Sequence, residues 1–286
     1  MKTAVKAKPA AQPTIPSKVE RSRRPTSPTR SQREPALPYS DDQAKELVEI
    51  SQIAYQDGQS AVQKFHDRGY GEFYFFSKAD TEAFLVGNAQ QIVIIFRGTE
   101  PKSVQDWLTN AQVLKTQACG GRIHSGFWQG TQAIWAELES EIRRIRGQFP
   151  TPPPLFLTGH SLGGALAVLA ASELQRLEHK VDGVYTFGSP RIGDRHFAMQ
   201  YNRRLYDQTF RLVNHRDIVT QLPPAELNYT HVGQLIYFDD QGLRQLSPFS
   251  QDQHGFTGIE GFYDHDLRAY HQSLQHTQAA QIPKAV

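Results

Sequence analysis

The chain has 286 residues, 38% hydrophobic and 10% aromatic, which suffices for one substantial core. Its single cysteine, Cys119, excludes an intrachain disulfide and a cysteine-rich metal site, and no apolar run approaches the roughly 18 residues of a membrane span. The net charge of +2 conceals an asymmetry: residues 1–40 carry nine Lys or Arg against Glu20 and Glu34, a balance of +7 that leaves −5 for the remainder.

Residues 1–40 are rich in Pro and Ser and nearly devoid of large apolar side chains, so burial cannot offset their ordering entropy. They are expected to form a disordered basic tail. Its composition fits a solvated linker, an electrostatic tether to an anionic membrane surface, or an organelle-targeting segment. The first residues lack the apolar middle section of a secretory signal. With the lone cysteine, this favours a cytoplasmic location, peripheral to a membrane if the tail binds one.

From Ser40 the pattern changes, and one domain is expected over residues 41–280. Asp41 and Asp42 can cap a helix carrying Ala44, Leu47, Val48, Ile50, Ile53 and Ala54. Phe73–Phe76 and Ala83–Val86, joined by the polar link Ser77–Glu82, predict a hairpin. Gln91–Phe96 is the unbroken apolar run of a strand buried on both faces. A strand–loop–helix rhythm follows, with helices over Ser125–Arg146, Leu162–Glu178, Asp194–Leu205 and Asp264–Gln275. Strands are expected at Leu155–Thr158, Val184–Phe187, Phe210–Val213 and Gln234–Phe238. Such alternation predicts the α/β class, with a mainly parallel central sheet flanked by helices.

Gly159-His160-Ser161-Leu162-Gly163 lies between a predicted strand and a predicted helix, the context that a nucleophile elbow requires. There a strained turn lifts the serine hydroxyl out at the carboxyl edge of the sheet. A Cβ at 159 or 163 would collide with the neighbouring strand or helix, and Gly164 and Ala165 extend the small surface. Ser161 is therefore the candidate nucleophile. A serine needs a histidine to take its proton and a carboxylate to hold that histidine. In chain order the acid comes next, after a strand, and Asp217 follows Phe210–Val213; Asp239 and Asp240 are held in reserve. His265 stands where a loop enters the last predicted helix and is the candidate base. His254, His271 and His276 are read as surface residues.

Acyl transfer also needs N–H donors for the developing oxyanion. The elbow supplies Leu162, and Thr99 follows the buried strand in Arg97-Gly98-Thr99. Beyond it, Ser103–Leu114 places Val104, Trp107, Leu108 and Ala111 at i, i+3, i+4 and i+7, an apolar stripe that suits either a core-packed helix or a lid. No histidine pair sits at helical ligand spacing in a suitable context, so no metal site is expected.

Together these segments resemble the class 3, fungal-type lipase family of α/β-hydrolases. The matching stretches are Ile95–Thr99, Asp106-Trp107, His124–Phe127, Gly159–Gly164, Phe187–Asp194, Asn214–Val219 with Leu222–Pro224, His231–Gly233 and Asp264-His265. They run in family order over roughly residues 50–275. The resemblance implies the α/β-hydrolase fold, a Ser161–Asp217–His265 triad, an oxyanion hole at Thr99 and Leu162, and a lid around Trp107. It also implies hydrolysis of acylglycerols and related esters without a cofactor. Two departures stand out: secreted fungal members carry disulfides, and the loop Lys115–Arg122 is short. The expected function is hydrolysis of lipid esters through an acyl-enzyme. The alternatives are acyl transfer by the same triad and a non-catalytic lipid-binding or scaffold role. No nucleic-acid partner is expected.

Overall fold

The computed structural model describes residues 37–98, 114–245 and 260–276. The basic segment 1–36 lies outside the described residues. Helix α1 (Asp41–Ile53) is capped not by Asp41 or Asp42 but by Ser40, whose Oγ accepts from Gln43 N. The two aspartates occupy the first turn, where negative charge favours the helix. A helix that the apolar pattern did not announce, α2 (Gly58–Asp67), follows, with Asp57 as its N-cap.

Strands β1 (Glu72–Lys78) and β2 (Thr81–Gly87) form the expected hairpin. Its two-residue turn, Ala79-Asp80, has positive φ at both positions, matching the twist of the strands. Strand β3 (Ile92–Phe96) pairs antiparallel with β2 and parallel with β6 (Leu155–His160). Strands β7 (Gly183–Phe187), β8 (Thr209–Asn214) and β9 (Gln234–Phe238) continue in parallel, and β10 (Arg244–Gln245) closes antiparallel on β9. Among the described residues the sheet order is β1-β2-β3-β6-β7-β8-β9-β10. It is a mainly parallel sheet, as the strand–helix alternation predicts.

Strand β3 shows why the run is apolar throughout. Ile92, Ile94 and Phe96 join the core on one face, and Val93 and Ile95 join the core on the other. Helices α3 (Ser125–Gly147) and α4 (Leu162–Arg176) cover the first face; α1 and α7 (Leu267–His276) cover the second. The segment Lys115–Arg122, expected as a short loop, is instead a second hairpin. It comprises β4 (Lys115–Ala118) and β5 (Gly121–His124), turning at Cys119-Gly120. This hairpin lies so close to helix α5 (Arg195–Leu205) that a Cβ at Gly121 would stand 2.3 Å from Phe197 N. The single closing helix expected over Asp264–Gln275 is two, α6 (Glu260–Asp264) and α7, parted at His265-Asp266.

Candidate active site

The elbow is built by exclusion. A Cβ at Gly159 would fall 2.3 Å from Gly163 C, and one at Gly163 would fall 2.1 Å from the carbonyl oxygen of Phe96 in β3. One at Gly164 would fall 2.8 Å from Ser189 Cβ. Only hydrogen fits at these positions, so α4 presses its N-terminus against β6 and β3. Ser161, between strand and helix, takes φ 56° and ψ −128° and is buried. That left-handed backbone is costly for a residue with a side chain, by about 1–2 kcal/mol. Leu162 opens α4, and its N–H is one of the first-turn donors that no intrahelical carbonyl can satisfy.

Asp217 and His265, 48 residues apart in sequence, meet directly. His265 Nδ1 lies 3.0 Å from Asp217 Oδ1 and 2.9 Å from Oδ2, with both side chains buried. A carboxylate only accepts, so the proton is on Nδ1 and Nε2 keeps its lone pair. That Nε2 is buried and has no hydrogen-bond partner among the described residues. Asp217 is held by two further donors, Val219 N to Oδ1 at 2.9 Å and the Tyr270 hydroxyl to Oδ2 at 2.5 Å. Burial, and next the Asp217 charge, push the Tyr270 phenol well above its ordinary pKa, so it stays a donor.

His160, the residue before Ser161, underpins the base. Its ring lies on that of His265 at a centroid distance of 4.5 Å, and its Nε2 donates to the His265 carbonyl at 2.7 Å. Its Nδ1 is therefore the acceptor, and the Tyr55 hydroxyl donates to it at 2.9 Å. Burial, reinforced by neighbouring His265, lowers the His160 pKa to about 3, so the ring is neutral at ordinary pH. The strand–turn–helix thus brings His160, the neighbour of Ser161, against His265, the partner of Asp217.

The chain is similar to known proteins. Residues 93–227 fit the family model described as lipase (class 3). The lipase of Rhizomucor miehei is 35% identical over 182 residues, 60% of this chain and 49% of its own length. Among solved structures, a mutant form of MDLA from Penicillium cyclopium superposes with a TM-score of 0.68 at 22% identity, covering 78% of this chain and 93% of that one. A triacylglycerol lipase whose catalytic centre is a serine-protease triad gives 0.65 at 25% identity, covering 78% and 92%.

The match to the class 3 lipase model covers 135 of the 286 residues.

The chain has the α/β-hydrolase fold, and it spans about half the length of the curated relatives it matches. Thr99 and the candidate lid residues Val104, Trp107 and Leu108 lie outside the described residues. The reserve acids do other work. Asp239 accepts from Gln241 N and Leu243 N in the β9–β10 turn, and Asp240 follows it there. His271 pairs with Glu49 at 3.1 Å, and His276 bonds the Gln272 carbonyl. Among the described residues, no three His, Cys, Asp or Glu side chains gather to hold a metal ion.

Several contributors escaped the sequence reading. Tyr55 and Tyr270 carry no local signal, since an aromatic at their positions reads as core. Arg191, within the Phe187–Asp194 motif, is buried and clamps the loop that bears Asp217. Its guanidinium donates to the carbonyls of Gln221 and Pro223, the latter at 3.1 Å, while its own N–H donates to Leu222 O at 2.6 Å. The motif announced the residue but not the task.

Proposed function

We propose that this chain is a serine hydrolase that cleaves carboxylic esters of lipids, acylglycerols foremost, through an acyl-enzyme. The observation that carries the reading is the buried Nε2 of His265, which has no hydrogen-bond partner among the described residues. Asp217 fixes its tautomer, and the ring packs on the residue that precedes an elbow serine. The names of relatives, a lipase in Rhizomucor miehei and a secreted mono- and diacylglycerol lipase in Fusarium solani, support the substrate class.

In the proposed reaction, Ser161 Oγ passes its proton to His265 Nε2 as it bonds to the ester carbonyl carbon. The carbonyl electrons move to oxygen, which the N–H groups of Leu162 and Thr99 stabilise. The tetrahedral centre collapses, the carbon–alkoxy bond breaks, and His265 gives its proton to the departing alcohol. Water repeats the sequence on the acyl-enzyme and releases the acid, restoring Ser161. Asp217 stays ionised throughout and stabilises the imidazolium that forms.

The test is hydrolysis of p-nitrophenyl esters of two to sixteen carbons by wild type and by Ser161→Ala. Turnover by the first and none by the second supports the reading, and the preferred chain length separates esterase from lipase. If neither cleaves any ester, with or without detergent, the hydrolase reading falls. The basic segment 1–40 is proposed to draw the protein to anionic lipid through its +7 balance. Equal binding to phosphatidylserine vesicles by the full chain and by one beginning at Ser40 would dispose of that.

A further inference from the structure

Two loops carry the members of the Asp217–His265 pair, and a pair of this kind works only if the loops hold register. Asp264, immediately before the base, is where they are joined. Its Oδ2 accepts from His215 Nδ1 at 3.1 Å and from the backbone N–H of Arg216 at 3.1 Å. Its backbone carbonyl accepts from Asn214 Nδ2 at 3.1 Å. Three consecutive residues of the acid loop thus converge on the one residue that precedes His265.

The local backbone supports this reading. His215 has φ 40°, in the left-handed region that a side chain disfavours. Strain of that kind persists where surrounding contacts over-determine it. The lacing extends on either side: Ile218 N–H donates to Gly261 O at 3.3 Å, and Ser273 Oγ donates to Asn214 Oδ1 at 2.9 Å. None of these groups touches Ser161, and the reaction proposed above does not use them.

We infer that Asp264 is a positioning residue: with His215 it forms a latch that fixes the acid loop to the base loop and so sets the Asp217–His265 geometry. The inference rests on the proposed hydrolase reading for its kinetic consequence only. The latch removes a degree of sliding between two segments that must stay in register to a fraction of an ångström.

The experiment compares Asp264→Ala, Asp264→Asn, His215→Ala and the double alanine variant with wild type in the full chain. The readouts are kcat and KM on a p-nitrophenyl ester, the rate at which a fluorophosphonate labels Ser161, and Tm. Asp264→Ala is expected to lower kcat about tenfold or more with KM within about twofold, and to slow labelling by the same factor. Asp264→Asn keeps a side-chain acceptor and should recover most of the loss. The double variant should be no slower than Asp264→Ala, which already removes the contact that His215→Ala breaks. If wild type turns over and Asp264→Ala matches it in kcat and labelling rate, the latch is refuted while the hydrolase reading stands. If wild type is inert, that reading fails and the latch is judged by proton NMR instead. The low-field signal of the His265 Nδ1–H should be sharp in wild type and broadened in Asp264→Ala; identical signals would refute it. Should Asp264→Ala fail to fold, Asp264→Asn and His215→Ala decide by the same readouts, with full activity in His215→Ala counting against the latch.

Discussion

Gly188 lies directly against Asp217: a Cβ built on it would stand 2.6 Å from Asp217 Oδ2 and 2.8 Å from His265 Nδ1. The glycine also has φ 62°, so both space and backbone demand it. Gly188→Ala is therefore expected to push the acid and base apart, cutting ester turnover by more than about a hundredfold and stability by about 1–3 kcal/mol. Gly147→Ala is the control, because nothing lies within 4 Å of its added methyl. It should leave turnover unchanged and stabilise by a few tenths of a kcal/mol. Equal activity in the two variants would show that the gap at Gly188 is not needed.

Asp217→Asn tests the orienter. The amide can turn a donor toward His265 Nδ1, which favours the tautomer with its proton on Nε2, where no serine proton can go. Turnover should fall about 10⁴-fold while the fold persists, since the remaining carbonyl oxygen still accepts from a neighbour. A loss below tenfold would remove Asp217 from the triad.

Tyr270→Phe withdraws one donor from Asp217 and leaves the ring in place. Tyr270 is fully buried, and besides donating to Asp217 its hydroxyl meets the backbone of Asn214. The expected result is a stability loss of about 1–2 kcal/mol and a drop in kcat of about tenfold with KM nearly constant. Unaltered kcat would mean that Val219 N and His265 suffice to hold the carboxylate.

The buried histidines set a pH dependence of stability. His160 has its pKa lowered to about 3 and His124 to about 4, in both cases chiefly by burial. In the unfolded chain a histidine titrates near 6.5. Below about pH 6.5 the unfolded state therefore binds the protons first, and stability falls as pH drops toward these folded values. Each such histidine removes up to about 1.4 kcal/mol per pH unit. Tm measured from about pH 7.5 to about pH 4.5 should decline, and less steeply in His124→Asn, which keeps an N-cap acceptor for α3. A Tm that stays level across that range would contradict the assignment of neutral, buried rings.

Much of this was legible in the residue order because the signals were local. The run Gln91–Phe96 announced a doubly buried strand, and the spacing of Gly159, Ser161 and Gly163 announced an elbow whose collisions the structure then displays. Lys115–Ala118 and Gly121–His124 gave no such notice. Their hairpin is polar on its outer side and owes its place to contact with α5, where Phe197 lies 76 residues beyond Gly121, which no local pattern reports. The same holds for Tyr270: its hydroxyl reaches Asp217 across 53 residues, while its ring serves the core beside Leu267 and Leu274. The expected unbroken helix from Asp264 ignored His265-Asp266, where a turn and a bend present the candidate base; helical propensity there yields to tertiary contact.

Helix α7 has two duties, sealing the second face of the sheet and presenting Tyr270 to Asp217. His265 itself precedes that helix by only two residues. During synthesis, then, the serine of the elbow leaves the ribosome more than a hundred residues before its base, and the acid waits 48 residues for the partner that fixes it. A nascent or prematurely ended chain carries a silent hydroxyl. Under the proposed hydrolase reading, the pair can act on the serine only once His265 has docked on Asp217.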